Sequence, residues 1–177
     1  MSTASIAIDN FLDSDKWNII QSGISGYLNS SEYSENRTSL HTQINSWIQE
    51  KLTSLSLWQS DWESDVKLFS SINVLPKDIN VESSDNTNGG YHKEAGGYIY
   101  YIHPTWESSW GGNLKFKDCS ADKIEPLPNR FVWINPHVWH GIEPVNNTAS
   151  TNRITVVAWP SGTMQYASAD IVINNLS

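Results

Sequence analysis

Tyr98-Ile99-Tyr100-Tyr101-Ile102, Asn113-Leu114-Lys115-Phe116-Lys117, Phe131-Val132-Trp133-Ile134 and Ile154-Thr155-Val156-Val157-Ala158-Trp159 are short runs rich in aromatic and β-branched residues. Such side chains fit a pleated, half-buried surface, and each run is too short for a helix that must bury a face. Turn-forming residues separate them, as at Gly111-Gly112 and Pro126-Leu127-Pro128-Asn129. Val66 to Val74, Ile79 to Val81 and Ile171 to Ile173 add further strand-like pieces. Short strands with frequent turns predict a β-sandwich or barrel of mostly antiparallel strands, and not a parallel α/β sheet.

Upstream the period changes. Leu40, Ile44, Trp47, Ile48 and Leu52 recur at helical spacing and place one apolar stripe against something flat, with His41, Gln43, Gln49 and Glu50 directed mostly outward. An earlier helix holds Trp17, Ile19, Ile20 and Ile24, with Asp13 or Ser14 as cap and Gly26 near its end. Helices first and strands later predict helices packed on one outer face of the β-structure. The 177 residues show no internal repeat or linker, so a single domain over 1–177 is expected, with helical support at about 1–60 and a β core at about 66–175.

Nine Trp and seven Tyr are too many aromatics for a disordered chain. A net charge of −8 opposes attraction to phosphate backbones and anionic bilayers, so neither nucleic acid nor membrane is expected as a partner. One cysteine, Cys119, excludes an internal disulfide and a multi-cysteine zinc site. No basic-then-apolar leader stands in Met1 to Leu28, and the expected location is the cytoplasm. Asn36-Arg37-Thr38 and Asn146-Asn147-Thr148 match a glycosylation pattern that carries no weight without a secretion signal.

Five histidines are present, and His92-Lys93-Glu94 sets an imidazole and a carboxylate two residues apart, on one face of an extended chain. A third ligand from the distant segment Asn135-Pro136-His137-Val138-Trp139-His140-Gly141-Ile142-Glu143-Pro144-Val145 would complete two imidazoles and one carboxylate. Such a facial set leaves positions open and suits non-haem Fe(II) oxygenases. Arg153, 13 positions after His140, opens an apolar strand from which a guanidinium can grip a carboxylate with two parallel hydrogen bonds.

The order His92-x-Glu94, Tyr100-Tyr101-Ile102 into Trp106, Gly111-Gly112, Trp139-His140-Gly141-Ile142-Glu143-Pro144-Val145 and Arg153-x-Thr155 resembles the 2-oxoglutarate and Fe(II)-dependent oxygenases, prolyl-hydroxylase-like branch, over about Ile79 to Pro160. The resemblance implies a double-stranded β-helix (jelly roll) with helical support. It implies Fe(II) held by His92, Glu94 and His140, with Arg153 pairing the far carboxylate of 2-oxoglutarate, helped by Tyr101 and Thr155. Fe(II), 2-oxoglutarate and O2 are the implied cofactor and cosubstrates, and ascorbate is admitted beside them. The implied reaction couples oxidative decarboxylation of 2-oxoglutarate to hydroxylation of an aliphatic C–H bond, in a prolyl residue of a peptide or in a small molecule. Glu94 stands where Asp is usual in that branch; its carboxylate also argues against the halogenase variants, which lack one there.

Several side chains have plainer readings. His137 is the rival of His140, set aside on the spacing to Arg153; His103 reads as a turn or pocket-rim residue, and His41 as structural or solvated. Alternation allows only one of Tyr100 and Tyr101 to face the barrel interior, and Tyr101 is taken. Trp106 and Trp110 stand beside the expected barrel mouth as candidates to receive substrate, and Ser83 to Gly90 reads as a loop or a lid over the iron. The competing functions are a non-catalytic Trp- and Tyr-rich β-sandwich binding carbohydrate or protein, and a cupin-like enzyme with another metal. The sequence carries no sign of an oligomeric state.

Overall fold

In the computed structural model, which describes residues 5–27, 37–58, 71–75, 96–117, 123–160, 164 and 171–175, the alternating runs are strands and the two periodic runs are helices. The strands are β1 (Ser5–Asp9), β2 (Ser71–Leu75), β3 (Gly97–Tyr101), β4 (Leu114–Phe116), β5 (Lys123–Ile124), β6 (Phe131–Ile134), β7 (His140–Ile142), β8 (Arg153–Ala158) and β9 (Ile171–Asn175). The helices are α1 (Ser14–Ile24) and α2 (Arg37–Ser54). The expected strand at Ile79 to Val81 lies outside the described residues.

Six strands form one sheet in the order β2-β8-β3-β6-β1-β9, and three form a second in the order β5-β4-β7. Neighbours run antiparallel except β1 and β9, which are parallel. Period-2 alternation then sorts the side chains of the large sheet. Ile6 and Ile8, Tyr98 and Tyr100, Phe131 and Trp133, and Ile154, Val156 and Ala158 face the helices and join Ile20, Ile24, Ile44, Ile48 and Leu52 in one core. Ala7, Ile99, Tyr101, Val132 and Ile134 face the small sheet and pack with Leu114, Phe116 and Ile124. Two facing, mostly antiparallel sheets with helices on the outside of the larger are the expected jelly-roll architecture.

Asp13 caps α1, its carboxylate accepting from the Lys16 amide at 2.9 Å. Ile20 and Ile24 turn inward while Ile19 is 50% exposed, so the apolar stripe of α1 is narrower than the run of isoleucines suggests. Gly26 does not end α1 in a left-handed cap, because Ser25 keeps right-handed helical dihedrals and Ser25–Tyr27 continues as a tighter 3-10 turn. Tyr98 Oη donates to Asn45 Oδ1 at 2.5 Å and the Gln21 amide donates to the Ile102 carbonyl at 2.9 Å, fastening both helices to the sheet.

The N-terminal strand departs from the expectation of helices first. It is wedged between β6 and β9, and the Arg130 guanidinium grips the Asp9 carboxylate through Nε and Nη2, so the end of β1 is tied to the start of β6. Asn129, at φ +60°, accepts from the Leu12 amide at 3.0 Å and from Tyr100 Oη at 2.6 Å. Asparagine tolerates this left-handed backbone better than most residues. Among the described residues no helix is long and apolar enough to cross a membrane.

Candidate active site

Arg153 opens β8 on the face turned toward the small sheet, and it is 3% exposed. Its Nε–H donates to the Gly112 carbonyl at 3.0 Å, and Nη2 to Tyr101 Oη at 3.3 Å, with the guanidinium carbon 5.0 Å from the Tyr101 ring centre. Tyr101 is paired across the ladder with Thr155, itself buried and two residues beyond Arg153 on the same face. The three side chains therefore share one inter-sheet surface. Tyr100 points the other way, into the helix-facing core.

The glycine pair makes this seat. Gly111 and Gly112 have φ of +72° and +71°, a region that favours glycine. A Cβ on Gly111 would lie 2.5 Å from the Pro144 carbonyl oxygen, and one on Gly112 would crowd Trp106 at 3.1 Å, Val145 at 3.2 Å and Arg153 Cδ at 3.3 Å. Only a bare backbone brings a carbonyl this close to the arginine stem.

Among the described residues no carboxylate forms an ion pair with Arg153. Burial pulls its pKa below the usual guanidinium value, and Tyr101 offsets part of that effect. The Tyr101 hydroxyl is pushed up by burial and drawn back down by Arg153. A buried cation whose partners among the described residues are a carbonyl and a phenol is expensive unless an anion completes it. Chemically, the arrangement is able to accept an anion such as a carboxylate.

His140 opens β7 at 7% exposure, opposite Phe116 of β4. Its Nδ1 lies 2.8 Å from the Val138 carbonyl oxygen. A carbonyl only accepts, so Nδ1 carries a proton, which leaves Nε2 as the ring nitrogen able to ligate a metal. His140 lines a cavity of about 150 Å3 between the sheets, walled mainly by Ile99, Leu114, Ile134, Ile142 and Val157. Arg153 lies beyond this cavity's lining on β8, with Thr155 between it and the lining residue Val157. His137, by contrast, is an exposed turn residue at φ +65°, so the two histidines of the segment diverge.

His92, Glu94 and the Ser83 to Gly90 segment lie outside the described residues. Among the described residues no three His, Cys, Asp or Glu side chains cluster closely enough to hold a metal. Arg153, Tyr101 and Thr155 are thus brought together, His140 stands at the adjoining cavity, and two of the three expected ligands are not placed.

Two expectations change. His103 is not a turn or rim residue but fully buried, with Nδ1 accepting from the Ile154 amide at 3.1 Å and Nε2 2.5 Å from the Pro126 carbonyl oxygen. Trp106 and Trp110 do not stand open for substrate. They pack edge to face at 5.2 Å in a small core with Val145 and Ala149, and Trp106 Nε1 donates to the Gly111 carbonyl at 3.0 Å. Trp58 and Trp133 are buried packing anchors as well, whereas Trp159 is partly exposed and lines the cavity that His140 borders. The Gly112 carbonyl, which holds Arg153 Nε, is the candidate site atom that sequence reading missed; the Gly111-Gly112 pair was its signal.

Residues 78–161 match the family model of the 2OG-Fe(II) oxygenase superfamily. No curated protein matches the chain. Among solved structures, a prolyl-4-hydroxylase from Pseudomonas putida superposes with a TM-score of 0.53 at 13% identity, covering 89% of this chain and 92% of its own. A prolyl hydroxylase from Trichoplax adhaerens, solved in complex with a peptide fragment of the hypoxia-inducible factor oxygen degradation domain, superposes with a TM-score of 0.53 at 16% identity, covering 89% and 83%. At these identities the likeness is one of fold.

Proposed function

We propose that the chain, whose residues 78–161 match the 2OG-Fe(II) oxygenase superfamily model and whose fold is prolyl-hydroxylase-like, is a 2-oxoglutarate/Fe(II) oxygenase that hydroxylates an aliphatic C–H bond in a peptide, at a prolyl residue, or in a small molecule. The observation that carries the reading is the buried Arg153 guanidinium, held by Tyr101 and Gly112 and lacking a carboxylate partner among the described residues. It fits one end of a dicarboxylate. Arg153 and Tyr101 would hold the far carboxylate of 2-oxoglutarate, with the Thr155 hydroxyl beside them. His140, His92 and Glu94 would hold Fe(II), a donor set of two imidazoles and one hard oxygen that suits that ion.

Bound iron, with 2-oxoglutarate and O2, supplies the oxidising power to insert one oxygen atom into a C–H bond, the second leaving in succinate alongside carbon dioxide. The chain's own residues bind, orient and dry the site. The Val138 carbonyl keeps the His140 proton on Nδ1 and fixes the ring plane. Ile99, Leu114, Ile134, Ile142 and Val157 keep water from the cavity, which strengthens every charge interaction within it. Tyr101 spreads hydrogen bonding over the arginine while its own burial keeps it protonated and able to donate.

The same proposal takes 1–177 as one domain, with helices at about 1–60 supporting a core at about 66–175. It places the protein in the cytoplasm, where a chain with one cysteine needs no disulfide. It admits ascorbate as a reductant that keeps iron ferrous. A peptide substrate is favoured because a structural neighbour holds one. The test is succinate release from Fe(II), ascorbate and 2-oxoglutarate with a panel of prolyl peptides and amino acids. Release that depends on iron and is lost in His140→Ala supports the reading; full release by His140→Ala overturns the ligand assignment.

A further inference from the structure

The antiparallel ladder between β3 and β8 ends in an unusual way. Ile102 N–H donates to the Ile154 carbonyl at 2.9 Å, as a hydrogen-bonded pair should. The reciprocal bond is replaced: the Ile154 amide donates at 3.1 Å to His103 Nδ1, while the Ile102 carbonyl takes the Gln21 amide. An amide only donates, so Nδ1 is the acceptor and the ring proton sits on Nε2, where it is given to the Pro126 carbonyl. Both ring nitrogens are committed to backbone, one of them to the residue next to Arg153. The ring packs in tilted contact with Tyr101, at 5.9 Å between centroids, and with Trp106, at 4.6 Å.

We infer that His103 is a positioning residue for the carboxylate seat, its imidazole fixing where Arg153 and Tyr101 stand relative to each other and to the Gly112 carbonyl. The inference rests on the proposed reading of Arg153 as the 2-oxoglutarate anchor. Geometry carries it: His103 holds the backbone beside Arg153, abuts Tyr101, and touches Trp106, which in turn lies against Gly112. The ring is neutral in this place, since burial, with a smaller contribution from the Arg153 charge, drops its pKa to about 3. It therefore adds an acceptor beside the seat without a second positive charge.

The experiment measures Fe(II) affinity, and then 2-oxoglutarate affinity of the Fe(II)-loaded protein under anaerobic conditions, for wild type, His103→Leu and His103→Asn, with thermal unfolding of each. Leucine fills space without an acceptor; asparagine restores an acceptor and a donor. The expected result is 2-oxoglutarate binding at least tenfold weaker in His103→Leu, Fe(II) binding within twofold of wild type, and recovery of most of the loss in His103→Asn. A folded His103→Leu that binds 2-oxoglutarate within twofold of wild type overturns the inference, as does a parallel loss of both affinities. Should His103→Leu not fold, His103→Gln is measured against the same thresholds. Wild-type protein that loads Fe(II) but does not bind 2-oxoglutarate overturns the reading of Arg153 itself, which separates that failure from this one.

Discussion

Replacing Arg153 with lysine keeps the positive charge and removes the planar fork. Arg153 gives Nε–H to the Gly112 carbonyl and Nη2 to Tyr101 Oη, and the remaining N–H groups of the guanidinium are what a carboxylate would meet. A lysine ammonium is a point charge that cannot hold the Gly112 carbonyl, the Tyr101 hydroxyl and two carboxylate oxygens in one plane. At least one charge-assisted hydrogen bond is lost, a loss of about 1.5–3 kcal/mol, which corresponds to 2-oxoglutarate binding about 10- to 150-fold weaker. Iron binding should be little changed, because Arg153 lies beyond the lining of the cavity that His140 borders. Titration of 2-oxoglutarate into anaerobic Fe(II)-loaded Arg153→Lys, beside an Fe(II) titration of the same protein, reads both quantities. Unchanged 2-oxoglutarate affinity, or equal loss of both ligands, would refute the reasoning that assigns the anchor to this guanidinium.

Gly112→Ala should weaken 2-oxoglutarate binding too, because the new methyl strains a φ of +71° and pushes on Arg153 Cδ; a destabilisation of about 1–2 kcal/mol is expected in urea unfolding. Arg130→Ala leaves the Asp9 carboxylate at the start of β6 without its partner and should cost about 3–5 kcal/mol, read as a large fall in thermal midpoint; a shift of under two degrees would show that the pair does not hold β1. His103 supplies a pH signature. Its folded pKa of about 3 lies below the ordinary histidine value of 6.5, so the unfolded chain takes up the proton first and stability falls as pH drops from about 6.5 toward 3. By pH 5 the loss from this group is about 2 kcal/mol, and a comparison of urea unfolding at pH 7 and pH 5 should show it in wild type but not in His103→Asn.

How much was legible in the sequence depends on the range of the interactions involved. The spacing of Ile44, Ile48 and Leu52 is local, and α2 buries those residues. Alternation is equally local, and it separates Tyr101 from Tyr100 onto opposite faces of β3. Strands β5 and β7 hold two and three residues, too few to show any period, and are defined by their pairing with β4. The strand Ser5–Asp9 depends on partners more than a hundred residues away, since its grip on Arg130 spans 121 positions. His103 gives no local sign of burial because its two backbone partners are 23 and 51 residues distant. The tryptophans of the Trp106 to Trp110 loop read as candidates for a mouth; the left-handed turn at Gly111-Gly112 and the Gly111↔Val145 bridge fold them inward.

A crystal structure of the protein grown without oxygen, in Fe(II) and 2-oxoglutarate, tests the central claim most directly. The account predicts one metal ion on His140 Nε2, His92 and Glu94, and a cosubstrate whose far carboxylate rests on Arg153 and Tyr101. A metal bound away from His140, or a carboxylate lying anywhere other than on the Arg153 guanidinium, would contradict it.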